Sequence, residues 1–100
     1  MAAEYMLELY VVGQSPKSQA AETNLRRICE ERLSGRYEMQ VLDVLENTQA
    51  AEQANIVATP TLVKRSPFPM RVIVGDLSAT DLVIQGLGLD TEDDGGERSA

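Results

Sequence analysis

Residues 58–63 read Ala-Thr-Pro-Thr-Leu-Val, and the reading of that proline decides the fold. Proline cannot donate to a β-ladder, so strands admit it at their first residue or on an edge. Thr59-Pro60-Thr61-Leu62-Val63 therefore reads as an apolar strand opened by a proline, with Ile56-Val57-Ala58 leading in. Taken alone, Pro60 has two readings of equal weight. One is a proline tolerated at a strand start. The other is a cis X-Pro bond, uncommon in folded proteins and kept only where surrounding structure holds it. The flanking elements choose between them.

Upstream, residues 5–12 (YMLELYVV) form a buried strand that Gly13 stops. Ser15 is a helix N-cap and Pro16 fits the first helical position, where a missing N–H costs nothing. The helix runs to about Leu33. Its apolar residues Ala21, Leu25, Ile28, Cys29 and Leu33 recur on one helical face, Glu22 and Arg26 pair on the wet side, and Gly35 supplies the stop. Residues 37–45 (YEMQVLDVL) alternate and then turn apolar, which predicts a second strand. Asn47 is the expected cap of a short helix through Ala50, Ala51 and Ala54. Downstream of the proline strand, Ser66-Pro67-Phe68-Pro69 is a turn and Met70–Val74 a further strand. Ser78 with Asp81 resembles a capping box for a last helix through Leu82, Val83 and Leu87.

The predicted order is β-α-β-α-β-β-α, an α/β sandwich of the thioredoxin-like type, parallel in its first half and antiparallel in its second. In such folds the proline opening the third strand is typically cis and sits beside the active-site position, so context favours that reading of Pro60. The halves are not equally specified. Leu82-Val83-Ile84 has strand character, Gly86 and Gly88 weaken a helix, and Thr48, Asn55 and Val57 are poor helix formers. Local preference underdetermines the C-terminal half.

One hundred residues make one domain, expected over 1–89. The core must be aliphatic, since the chain has three Tyr, one Phe and no Trp. Its net charge is −7, and residues 90–100 hold five acids and one base, so that stretch is expected to be a disordered acidic tail. An acidic balance disfavours nucleic acid and anionic membranes as partners. There is no signal-peptide pattern, no apolar run of the roughly 20 residues a membrane span needs, and one cysteine. A reducing cytoplasmic setting is the expectation.

The residues for chemistry are sparse. A thioredoxin enzyme needs a reactive cysteine at the start of the first helix, where the dipole lowers the thiol pKa. That place reads Gly13-Gln14-Ser15-Pro16-Lys17-Ser18. Cys29 lies mid-helix on the apolar face and reads as a small buried hydrophobe. A transferase-like use of Ser15 would require a helical second domain that this length does not hold. The chain has no histidine, the usual general base and a common metal ligand. Asp43 in its apolar strand reads as a strand-end carboxylate, solvated or bonded, and the Asp90–Asp94 run lacks the glycine turn and terminal Glu of a calcium loop. We expect no enzyme activity, no cofactor and no metal.

Several stretches together resemble the KaiB family. They are Leu9–Ser18 for the first strand and turn, Asn24–Glu31 for the first helix, Tyr37–Asp43, Ala58–Leu62, and Gly75-Asp76-Leu77-Ser78. The match covers residues 5–89. The resemblance implies a metamorphic chain with two arrangements. One is the thioredoxin-like order above, adopted as a monomer on the ATPase domain of KaiC. The other is a resting dimer or tetramer with the order β-α-β-β-α-α-β, and the resting form is the one we lean towards for a crystal. It implies a cytoplasmic timing or stress-response regulator with a KaiC-type ATPase as partner. Pro60, Pro67, Pro69, Gly86 and Gly88 fall in the converting half. Clock members commonly carry an acid where Gly88 stands. Tyr37, Glu38 and Gln40 correspond to the edge that pairs with KaiA in cyanobacteria; lysines and small residues common there are replaced here, which counts against KaiA. Gln53, Asn55 and Thr59 correspond to the KaiC-facing region, with Asn55 where a lysine is frequent. The competing reading is a thioredoxin-fold adaptor for another signalling protein, since KaiB-like domains also occur as sensor regions of histidine kinases.

Overall fold

β1 (Tyr5–Val11) is the strand around which the rest of the molecule is arranged, in a computed structural model that describes residues 3–89. The expected acidic tail, residues 90–100, lies outside the described residues. After β1 come α1 (Pro16–Arg32), β2 (Tyr37–Asp43), α2 (Thr48–Gln53), β3 (Thr61–Ser66), β4 (Arg71–Val74) and α3 (Thr80–Gly86). The sheet order is β2-β1-β3-β4. β1 and β2 are parallel from Tyr5↔Tyr37 to Val11↔Asp43, while β1–β3 and β3–β4 are antiparallel. Of the two orders that the resemblance allows, the chain shows the thioredoxin-like one; the lean towards the resting order is not met in this structure.

β1 alternates by face because successive side chains point to opposite sides of a strand. Tyr5, Leu7, Leu9 and Val11 face α1 and α3, where they meet Leu25, Ile28, Cys29, Leu33, Val83 and Leu87 in one core cluster. Each fully buried Leu or Ile of that cluster contributes roughly 2 kcal/mol by apolar burial. The opposite face carries a smaller cluster in which Tyr10 and Val63 meet Ala51 of α2. α2 has six residues and covers that face only in part, so Val72 and Val74 of β4 stay 54% and 58% exposed.

α1 starts as expected. The Ser15 hydroxyl accepts the Ser18 N–H at 3.2 Å, and Pro16 follows in the first turn. Arg26 binds Glu22 at 2.9 Å across one turn. Two expected caps are corrected. Asn47 holds the N-cap position of α2, but its amide donates to the Asp43 carbonyl at 3.0 Å and caps no helical N–H. Ser78 is not the cap of α3. Its N–H is drawn to the Asp76 carboxylate at 3.0 Å in an Asx turn, which moves the helix start to Ala79, with no side-chain cap bond.

Among the described residues no helix is long and apolar enough to cross a membrane.

Candidate functional site

Asp43 ends β2 and fixes the neighbouring loops. Its carboxylate accepts the Gly13 N–H at 3.0 Å and the Leu45 N–H at 2.9 Å, and its carbonyl accepts Asn47. The Val44 N–H donates to Val11 at 2.9 Å. The loop after β1 and the turn into α2 are thereby tied together at one end of the sheet.

α2 closes with a Schellman motif. The Ile56 N–H donates to the Ala51 carbonyl at 3.0 Å and the Asn55 N–H to Glu52 at 3.1 Å. Asn55 takes the left-handed conformation this motif demands, φ +58°, which asparagine tolerates better than most residues. Ile56 then turns inward against the Ala51 cluster, while Val57 stays 92% exposed. The chain runs on through Ala58 to a cis Thr59–Pro60 bond. The Thr61 hydroxyl donates to Ala58 at 2.6 Å, and the Pro60 carbonyl accepts Gly75 at 2.9 Å. β3 begins at Thr61, two residues later than the proline strand read from sequence.

Val12, Val44, Ala51, Ile56, Val57, Ala58 and Thr59 together line an open apolar hollow of about 240 Å³. It lies between the end of β1, the end of α2 and the cis-proline loop. Of the three residues matched to the KaiC-facing region, Thr59 lines this hollow, while Gln53 and Asn55 are exposed at the end of α2. Tyr37, Glu38 and Gln40 do not join them: they occupy the start of β2, at the far end of the strand from Asp43. Tyr37 packs on the main core, and its hydroxyl donates to Glu30. That bond, helped by burial, pushes the phenol up to about 12. Glu38 and Gln40 are exposed on the open edge.

A larger cleft of about 450 Å³ beside the start of α1 is lined by Gly13, Ser18, Glu22, Asp43 and Glu46 among others. Its polar groups already serve the fold: Ser18 accepts the Val12 N–H at 3.2 Å and Asp43 holds Gly13. Cys29 is fully buried, and burial, with Glu30 nearby, raises its thiol to about 12. A thiol held protonated is neither a nucleophile nor a metal ligand at neutral pH. Among the described residues, no three His, Cys, Asp or Glu side chains gather where they could hold a metal.

The switch-associated residues fall in the second half. Pro67 and Pro69 both follow cis bonds in the β3–β4 turn. Gly86 sits where α3 crosses β4, and a Cβ there would stand 2.6 Å from Ile73 Cδ1. Gly88 has φ +80° just beyond α3.

The sheet order, the cis Thr59–Pro60 bond and the three covering helices define the class: a thioredoxin-like α/β domain. Within it, the KaiB domain model matches residues 8–89. The circadian clock protein KaiB3 of Synechocystis is 46% identical over 84 residues, 84% of this chain and 82% of that protein. The circadian clock oscillator protein KaiB of Synechococcus elongatus is 48% identical over 85 residues, 85% of this chain and 83% of that protein. The chain belongs to the KaiB family. Among solved structures, the N-terminal domain of Synechococcus elongatus SasA matches with a TM-score of 0.71 and 28% identity over 89% of this chain and 88% of that one. Yeast mitochondrial thioredoxin 3 matches at 0.70 with 15% identity over 86% and 79%, a likeness of fold alone.

Proposed function

We propose that this chain is a non-catalytic, clock-type regulator that docks on a KaiC-type ATPase. The contact surface is the end of α2 and the loop from Gln53 to Thr59. One observation carries this reading: the thioredoxin-like reaction corner holds an apolar hollow and an exposed Val57 in place of a reactive thiol. An apolar hollow lined by Val12, Val44, Ile56 and Val57, with Thr59 as its polar member, suits a protein surface with a small hydrophobic anchor. The identity to curated clock proteins supports the system in which it acts. Conversion from a resting oligomer belongs to the same proposal, and the thin covering of the second half agrees with it.

The test is size-exclusion chromatography with light scattering, alone and then with a KaiC-type ATPase and ATP. A complex that forms only with hydrolysable nucleotide, and that Val57→Asp abolishes while the circular dichroism spectrum is kept, is the expected result. No complex at any nucleotide state, from a correctly folded protein, would end this reading.

A second reading takes support from the likeness to the SasA domain: an adaptor for histidine-kinase signalling. Binding to a kinase partner that Val57→Asp leaves intact, with no ATPase complex, would favour it.

A further inference from the structure

Lys64 is 4% exposed, an uncommon state for a lysine. Its ammonium carries three donors but makes one long bond, to the Leu87 carbonyl at 3.4 Å just past α3. Across the antiparallel pair the residue directly opposite is Arg71, and on the other side Lys64 is paired with apolar Leu7. Like charges directly opposite each other on a sheet repel. Burial first, and then Arg71, pull the lysine's pKa below its ordinary value. No ion pair reaches either cation from the described residues. Gly88 lies beside the lysine and carries no side chain: the nearest atom to a Cβ built there is Lys64 Nζ, at 4.0 Å.

We propose that Lys64 and Arg71 form a carboxylate-binding site at the end of α3, beside Gly88. A carboxylate there would add a charged acceptor to the long bond the ammonium makes with Leu87, offset the cross-strand repulsion and engage the planar guanidinium of Arg71 through paired bonds. The carboxylate has two possible sources of one chemistry. Asp90, Glu92, Asp93 and Asp94 follow directly in sequence after buried Leu89. A second molecule could supply the same group.

The experiment uses the full chain and follows the Lys64 Hε–Cε and Arg71 side-chain NMR signals during an acetate titration. It is run in the wild type and in a D90N/E92Q/D93N/D94N variant. A saturable shift of both residues in the wild type supports the site with an external carboxylate. A shift by acetate only after the four acids are neutralised supports it with the chain's own acids as occupant, and neutralisation should then lower the Lys64 pKa. Gly88→Asp, which adds a tethered carboxylate at a backbone angle that aspartate tolerates, should abolish the acetate response in either case. No acetate shift in either protein overturns the proposal. So does a shift that Arg71→Gln, an exposed and conservative change, leaves unaltered.

Discussion

In α1 a serine hydroxyl caps the first turn, and a buried stripe from Ala21 to Leu33 runs the length of the helix. In α3 the chain enters at Ala79 with no side-chain cap, makes a seven-residue helix and leaves it through two glycines within three positions. The strands differ in the same sense. β2 runs beside β1 for seven residue pairs, whereas β4 pairs with β3 over four and leaves two valines more than half exposed. The first half is specified locally and then packed. The second is held in shape chiefly by what it packs against. A region of the second kind has little conformational preference of its own to oppose a different arrangement, which places it at the low-stability end of the molecule.

The largest effects belong to the core. Leu25→Ala should cost about 3 kcal/mol in urea unfolding. In native-state amide exchange it should lower the free energy of opening β1 while leaving the easier opening of α3 and β4 unchanged. Leu87→Ala should cost about 2 kcal/mol and lower both openings together, because its contacts are lost in each. If β1 and α3 amides exchange with one common free energy in the wild type, the contrast between halves is wrong.

Smaller changes sharpen it. Ser15→Ala should cost about 1 kcal/mol, since it removes the cap on α1. Ser78→Ala should stay within about 0.5 kcal/mol, because the hydroxyl caps nothing. Chemical denaturation of the two variants side by side decides whether α3 has a cap that matters. Gly86→Ala sets a helix-propensity gain of about 1 kcal/mol against contact with Ile73. Ile73→Val removes the Cδ1 that the new methyl group would meet at 2.6 Å. The double variant should therefore be more stable than the two single changes predict, by about 0.5 kcal/mol or more. Additive behaviour would mean that α3 shifts off β4 at no cost.

The first half was legible because its signals are short in range. Ser15-Pro16 and the apolar spacing of α1 lie within a few turns of each other, and the alternation in β2 needs no partner to be seen. Pro60 was legible from its setting, since the elements before it favoured the cis reading. What escaped depends on distance or on competition. The Asp43 carboxylate is bound to an N–H thirty positions away, at Gly13. Nothing in the run Thr61–Ser66 marks Lys64 as buried; its bond to the Leu87 carbonyl spans 23 positions. Ser78 carried a real capping signal, but Asp76 reached its N–H first. The end of α2 had a local sign that went unused: an asparagine after an alanine-rich turn is a ready left-handed stop. Of the candidate docking residues, Gln53, Asn55 and Thr59 share one corner. Tyr37, Glu38 and Gln40 belong to a separate edge, a division that only the direction of β2 reveals.

β1 lies between the halves, with β2 along one side and β3 along the other. On its α1 side it also carries a buried row, Tyr5, Leu7, Leu9 and Val11, each at 5% or below. Any conversion that lifts β3 away strips this strand of half its backbone partners and bares part of that row. The vacancy has to be filled, and the supply of a substitute from other copies rises with protein concentration. By mass action, the total amount of protein then becomes an input to the equilibrium between shapes, alongside whatever the docking partner contributes.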